Sequence, residues 1–180
     1  KQGQSCSTHS DCNSEQGAED GFCDSFIGYK CSTRCAKGGN QCVSDKYVCR
    51  SDGRCAPKVF ETVWNVGGED GESLLVAFSS ISDGACDYSI DWGDDTKDTI
   101  TKCTGYNSHE YKSPGEYHIK ITGEIRDWKC DSCNLLSKVV SFGLAELSAY
   151  NTFYNAINLI KVSDVDIPND TGDFRLVDKE

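Results

Sequence analysis

The sequence predicts a mainly β chain in three parts: a small disulfide-rich N-terminal domain (1–57), a β-sandwich (58–133) and a short helix–strand segment (134–180). Three observations carry this reading. Eight of the twelve cysteines fall in the first third of the 180 residues. Short runs of alternating apolar and polar residues, separated by Gly, Asp and Ser clusters, then take over. Near the C-terminus the apolar spacing changes from every second residue to every third or fourth.

The N-terminal part holds Cys6, Cys12, Cys23, Cys31, Cys35, Cys42, Cys49 and Cys55. Its few apolar residues, among them Phe22, Phe26, Tyr29 and Val43, are too sparse to offset chain entropy by burial, so crosslinks must do so. Four bridges are expected among these eight cysteines, and spacing does not choose between the connectivities. A zinc site is disfavoured, because His9 is the only histidine nearby and no paired CxxC knuckle occurs. Pro57 marks the boundary to the next part.

The net charge of −11 arises entirely after residue 57, since acidic and basic side chains balance before it. Phosphate contacts need clustered Lys and Arg, so nucleic acid and anionic membranes are poor partners. No apolar run is long enough to span a bilayer. Dense cysteines together with the absence of Met fit an extracellular or cell-surface chain whose leader has been removed. No cofactor is expected.

"VFETVWNV", "SLLVAFSS", "CDYSIDW", "DTITKC" and "GEYHIKITGEI" read as strands of the sandwich. In the last, Tyr117, Ile119 and Ile121 alternate with His118, Lys120 and Thr122, the period of a half-buried strand. In "LAELSAYNTFYNAINL", Leu144, Leu147, Tyr150, Tyr154 and Ile157 recur at helical steps and predict an amphipathic helix after Gly143. Two similar pieces flank it, "LSKVVSF" from Leu136 and "LIKVSDV" from Leu159. They share L-x-K-V at an offset within the range of leucine-rich repeats. A single such unit cannot bury its own face and must lean on the sandwich or on further repeats.

Asp91, Asp94, Asp95 and Asp98 cluster in "SIDWGDDTKDTITKC". Cys86 and Cys103 lie symmetrically about Asp94 and Asp95, so a hairpin folded at "GDDT" sets the two cysteines opposite each other and predicts a Cys86–Cys103 bridge. Gly93 supplies a positive φ for the turn, and aspartates bond their own backbone two residues on. Trp92 alternates into the core. Four carboxylates on one exposed turn give neither the cleft nor the raised pKa of a glycosidase pair. Calcium is the weaker alternative, because the spacing departs from the D-x-D-x-D-G loop.

"IDWGDDTKDTI" followed by "HEYKSPGEYHIKITGEI" resembles the W-G-D-G…H-x-Y pattern of PKD-type, immunoglobulin-like β-sandwiches. The continuation through "LLSKVVSFG" to "NTFYNAINLIKV" resembles the BspA-like leucine-rich-repeat surface proteins of bacteria. Phe153, Asn155, Ala156, Asn158 and Leu159 match that family's repeat motif. The resemblance covers about residues 59–165. It implies an α/β leucine-rich-repeat-like tail and an adhesion role at a cell surface, toward host or matrix proteins or another cell, without catalysis. Asp95 departs from the pattern by standing where the family has a second glycine. Only one repeat-like unit is present.

Other chemistry is weaker. Cys130 and Cys133 form a C-x-x-C in a loop with acidic neighbours, which raise thiol pKa, so a local disulfide is expected rather than a redox centre. His109 and His118, with Ser108 or Ser113, lack a nucleophile elbow or oxyanion loop. Exposed aromatics are the better lead for a protein or glycan ligand, and the candidates are Trp128, Tyr106, Tyr150 and Tyr154. The expected function is therefore non-catalytic binding. The alternatives are a carbohydrate-binding accessory of a secreted enzyme or a spacer presenting further repeats.

Overall fold

The computed structural model describes residues 21–24, 30–33, 47–49, 55–67, 74–81, 85–103, 105–148, 151–163 and 166. In the cysteine-rich part, β1 (Gly21–Asp24) pairs antiparallel with β2 (Lys30–Thr33), and β3 (Tyr47–Cys49) with β4 (Cys55–Pro57). The backbone register sets Cys23 opposite Cys31 and Cys49 opposite Cys55. The bridges expected among the eight cysteines of this part lie outside the described residues.

Eight strands follow: β5 (Val59–Val66), β6 (Leu75–Ser79), β7 (Ala85–Asp91), β8 (Lys97–Lys102), β9 (Tyr106–Glu110), β10 (Gly115–Glu124), β11 (Lys129–Cys130) and β12 (Leu136–Ser141). They form a five-stranded antiparallel sheet of order β12-β5-β10-β7-β8 and a three-stranded one of order β11-β6-β9. On β10, Ile119 and Ile121 are buried while His118, Lys120 and Thr122 are exposed, which is the period-two alternation expected there. Phe60, Trp64, Ile90, Trp92 and Ile121 of the large sheet share one core with Val76 and Phe78 of the small one. Each fully buried side chain of this size contributes about 1.5–3 kcal/mol over an exposed one. The chain is thus mainly β and sandwich-like.

Two disulfides lie in this part. Cys86–Cys103 ties β7 to the residue after β8, with Cα atoms 5.3 Å apart. Cys130–Cys133 closes the loop into a short 3-10 turn, Cys133–Leu135. That loop seals an edge of the small sheet: the Asp131 and Ser132 N–H groups donate to the Ala77 carbonyl at 3.0 and 3.1 Å. The Ala77 N–H in turn donates to Ser132 Oγ at 3.2 Å. The short Ser79–Asp131 hydrogen bond adds a side-chain link.

The amphipathic helix expected from Leu144 to Leu159 is corrected: the described residues of that stretch contain no helix. Asn151 (φ 55°) and Asn155 (φ 62°) sit in the left-handed region, which a right-handed helix cannot pass through. Asparagine tolerates that region and bonds locally, so four-residue turns replace the helix. Tyr154 N–H donates to Asn151 O, Ala156 N–H to Phe153 O, and Leu159 N–H to Ala156 O, each at 3.1 Å.

The tail instead winds as a coil beside both sheets. Trp128 bridges Leu147 in parallel next to the small sheet, and Lys138 bridges Lys161 in parallel next to the large one. Trp128 N–H donates to Glu146 O and Ser148 N–H to Trp128 O, both at 2.8 Å. Ile160 N–H donates to Ser137 O and Val139 N–H to Lys161 O, both at 2.9 Å. The two L-x-K-V pieces noted in the sequence therefore lie side by side in matching register. β12 belongs to the large sheet through β5 and to this parallel ladder through its other edge.

Candidate functional site

The aspartate cluster folds as a hairpin turn over residues 92–96, between the paired Asp91 and Lys97. Asp91 Oδ1 accepts the Gly93 N–H at 3.1 Å, and Asp94 Oδ1 accepts the Thr96 N–H at 3.1 Å and its hydroxyl at 2.5 Å. Trp92 N–H closes the turn on Thr96 O at 3.1 Å. Gly93 (φ 82°) rides so close to β10 that a Cβ there would lie 2.7 Å from the His118 carbonyl oxygen. Asp95 takes φ 67°, a left-handed position held here without glycine.

The turn is also pinned from outside. Asp94 Oδ2 meets His109 Nε2 at 2.8 Å, Trp92 Nε1 donates to Asp98 Oδ2 at 2.7 Å, and the Tyr111 hydroxyl donates to Trp92 O at 2.7 Å. His109 stacks on Trp92 (4.9 Å, 16°) and meets Tyr111 edge-on (4.7 Å), while Tyr111 stacks on Tyr117 (3.8 Å). Lys97 pairs with Asp91 at 2.8 Å. This arrangement pins the loop to β9 and its neighbours. His109 Nε2 meets Asp94 Oδ2 and lies 3.4 Å from the Thr96 hydroxyl, which bonds the same carboxylate. Ser113 contributes only its backbone carbonyl, which accepts from the Tyr117 hydroxyl at 2.8 Å. His118 pairs with Glu61 at 2.8 Å on the outer face of the large sheet.

Among the described residues no three His, Cys, Asp or Glu side chains gather where a metal could be held. The calcium candidates Asp91, Asp94, Asp95 and Asp98 accordingly do not assemble. Asp91, Asp94 and Asp98 spend their oxygens on Gly93 and Lys97, on Thr96 and His109, and on Trp92.

Electrostatics agree with a structural role. Partial burial works against ionisation of Asp94, but hydrogen bonds from the Thr96 hydroxyl, His109 and the Thr96 N–H outweigh it and hold the pKa at about 2, below the ordinary 3.8. The Lys97 hydrogen bond, outweighing burial and aided by the Gly93 N–H, lowers the Asp91 pKa as well. Burial, together with the Asp94 charge and Tyr117, pushes the Tyr111 hydroxyl up. A carboxyl whose pKa is depressed in the folded state stabilises the fold above its unfolded value, and that contribution is lost as pH falls through the folded one. For Asp94 the loss runs from about pH 4 to pH 2 and amounts to ~2 kcal/mol. Thermal melts between pH 2 and 6 check this: Asp94→Asn is less stable at pH 6 and lacks this acid step. An unchanged acid profile in the variant refutes the role.

The aromatic candidates divide. Trp128 is corrected: only 1 % exposed, it lies in the core and presents no ring to a ligand. It packs edge-on to Phe60 (5.0 Å) and tilted against Phe78 (6.1 Å) and Phe153 (5.9 Å), one partner each from the large sheet, the small sheet and the tail. Tyr106 on β9 is 52 % exposed and Tyr154 69 %. Tyr150 lies outside the described residues. What the sequence reading missed is that Ile157 (63 % exposed) and Ile160 (74 %) stand open beside Tyr154 in the chain. The helical spacing had grouped Ile157 with Tyr150 and Tyr154 on one face of an amphipathic helix, and it did not single out Ile157 or Ile160 as exposed.

No protein-family model, curated protein or solved structure matches the chain. The fold and its contacts define a class nonetheless: a mainly β, sandwich-like, disulfide-bonded chain of the kind that fits an oxidising, extracellular setting. Among the described residues no helix is long and apolar enough to cross a membrane.

Proposed function

We propose that this chain is a non-catalytic extracellular binding module, a PKD-like sandwich carrying a repeat-like tail, that engages a protein at a cell surface or in a matrix. The observation that supports it most is a division of labour. The acid, base and hydroxyl groups of the aspartate turn are bonded to one another or to backbone, while Tyr154, Ile157 and Ile160 present apolar side chains to solvent along one short stretch. Surfaces rich in Tyr and aliphatic side chains bind through desolvation of such groups.

The test is a panel of matrix and cell-surface proteins and of polysaccharides, probed with the purified, oxidised chain with and without calcium. Saturable protein binding that falls at least tenfold in Tyr154→Ala/Ile160→Ala supports the reading. Glycan binding lost in Tyr106→Ala moves the chain to the carbohydrate-binding class, which the half-exposed Tyr106 ring favours. Silence on both panels sinks the binding reading in favour of a spacer.

A further inference from the structure

β8 is the outer strand of the large sheet and, among the described residues, pairs only with β7. Five of its six residues are exposed, so its outer edge lies open, and Ile100 is half-buried against the core. Trp92 N–H donates to Thr96 O at the mouth of the β7–β8 hairpin. Backbone groups alternate in direction along an antiparallel ladder, so those of Asp98 and Ile100 turn toward β7 and those of Lys97, Thr99 and Thr101 turn outward. The edge thus presents a row of donors and acceptors with no strand of the sheet beyond them, which is a template for another strand.

The side chains of β8 divide by face. Asp98 and Ile100 lie opposite the buried Ile90 and Tyr88, and Asp98 Oδ2 accepts from Trp92 Nε1, so these two and Lys102 share the inner face. Lys97, Thr99 and Thr101 share the outer one, where Lys97 pairs with Asp91. Read antiparallel about Ile100, this sequence complements itself: Asp98 falls opposite the partner's Lys102, Thr99 opposite the partner's Thr101, and Ile100 opposite the partner's Ile100. Opposite charges and β-branched pairs are the favourable cross-strand combinations. A slip of one residue sets an inner-face side chain opposite an outer-face one, and a slip of two sets the charge of Asp98 or of Lys102 against the partner's Ile100. Lysines on an edge also discourage indiscriminate pairing, so this edge is selective as well as open.

We propose that β8 is a self-association edge: a second copy of this chain pairs its own β8 antiparallel to it across a two-fold axis at Ile100, joining the two large sheets into one. Thr99 and Thr101 exchange backbone hydrogen bonds with the partner's Thr101 and Thr99, and the two Asp98–Lys102 pairs fix the register. The contact is isologous, so it closes as a dimer and does not propagate. One strand on each side is a small interface, which makes the dimer reversible, with Kd in about the micromolar to millimolar range. The surface is distinct from the one invoked for ligand binding, because the tail runs beside β12 at the opposite edge of the same sheet. The proposal therefore does not rest on the binding reading.

The test is sedimentation of the full oxidised chain from about 1 µM to about 1 mM, with amide hydrogen exchange read at both ends of that range. Monomer gives way to dimer as concentration rises, and exchange at the Thr99 and Thr101 amides slows by about tenfold or more. Thr99→Pro removes an outward N–H and no bond to β7, so it abolishes the dimer while β10 keeps its protection. Lys102→Glu sets like charges against the partner's Asp98 and raises Kd by about tenfold or more. A chain that stays monomeric over the whole range overturns the proposal. So does a dimer whose Thr99 and Thr101 amides keep their monomer rates, or one that Thr99→Pro leaves intact, because another surface then makes it. A dimer indifferent to Lys102→Glu pairs in another register and overturns the one proposed. These experiments involve no ligand, so silence on the binding panel leaves their outcome untouched.

Discussion

Replacing Trp128 with alanine lowers the unfolding free energy by about 3–5 kcal/mol, the range for truncating a fully buried large aromatic. The expected loss is at the high end for a structural reason. The indole touches Phe60, Phe78 and Phe153, so its removal opens a cavity where the two sheets and the tail meet. Its backbone is fixed on both sides, by the Glu146 carbonyl and the Ser148 N–H, which limits collapse into the void. Trp128→Phe separates packing from polarity. The indole N–H has no hydrogen-bond partner, so phenylalanine keeps most of the ring contact and relieves a buried, unpaired donor. It should cost no more than about 1–2 kcal/mol. Urea unfolding of both variants checks this; a loss under 1 kcal/mol for alanine refutes the role of Trp128 in joining sheets and tail.

The strands with clean alternation were legible because their inner positions are apolar. β5 is the quoted run "VFETVWNV" itself, and β10 shows its alternation in the burial of Ile119 and Ile121. β9 was not legible. Its inward positions are Asn107 and His109, and Asn107 is buried by bonding to Tyr88 rather than by hydrophobicity. The aspartate turn could be read because Asx bonding and a positive-φ glycine are local events, and the paired position of Cys86 and Cys103 followed from it. The partners that fix the turn, His109 and Tyr111, come from beyond its own hairpin; the H-x-Y spacing marks them, but not the Asp94 and Trp92 groups they hold. The tail misled for the converse reason: steps of three and four suit a helix and also a chain of tight turns, and only the left-handed Asn151 and Asn155 decide between them. Trp128, beside a predicted loop, gave no sign that two sheets and a tail would close over it.

Asp166→Ala is expected to detach the tail segment beside β12, around Lys161, at a cost of about 3 kcal/mol. Asp166 is only 6 % exposed, and its carboxylate accepts the Phe142 N–H at 2.9–3.0 Å, the Gly143 N–H at 2.7 Å and the Ser163 hydroxyl at 2.5 Å. Removing it leaves two buried backbone donors without an acceptor, each costing ~1–3 kcal/mol. The turn cannot rearrange to recover them. Gly143 (φ 56°) lies against β5 so tightly that a Cβ on it would meet the Val59 carbonyl carbon at 2.7 Å, so the loop has no room to shift inward. Asp166→Asn keeps one acceptor oxygen but turns an amide NH2 toward donors, and should cost about half as much. The decisive readout is local. Hydrogen exchange in Asp166→Ala accelerates at Phe142, Gly143 and Val139, the last because its N–H donates to Lys161 O on the coil being released, while β10 stays protected. Uniform acceleration through β5 and β10 means that Asp166 supports the whole sandwich, and unchanged exchange at Val139 means that the ladder holds the coil without it.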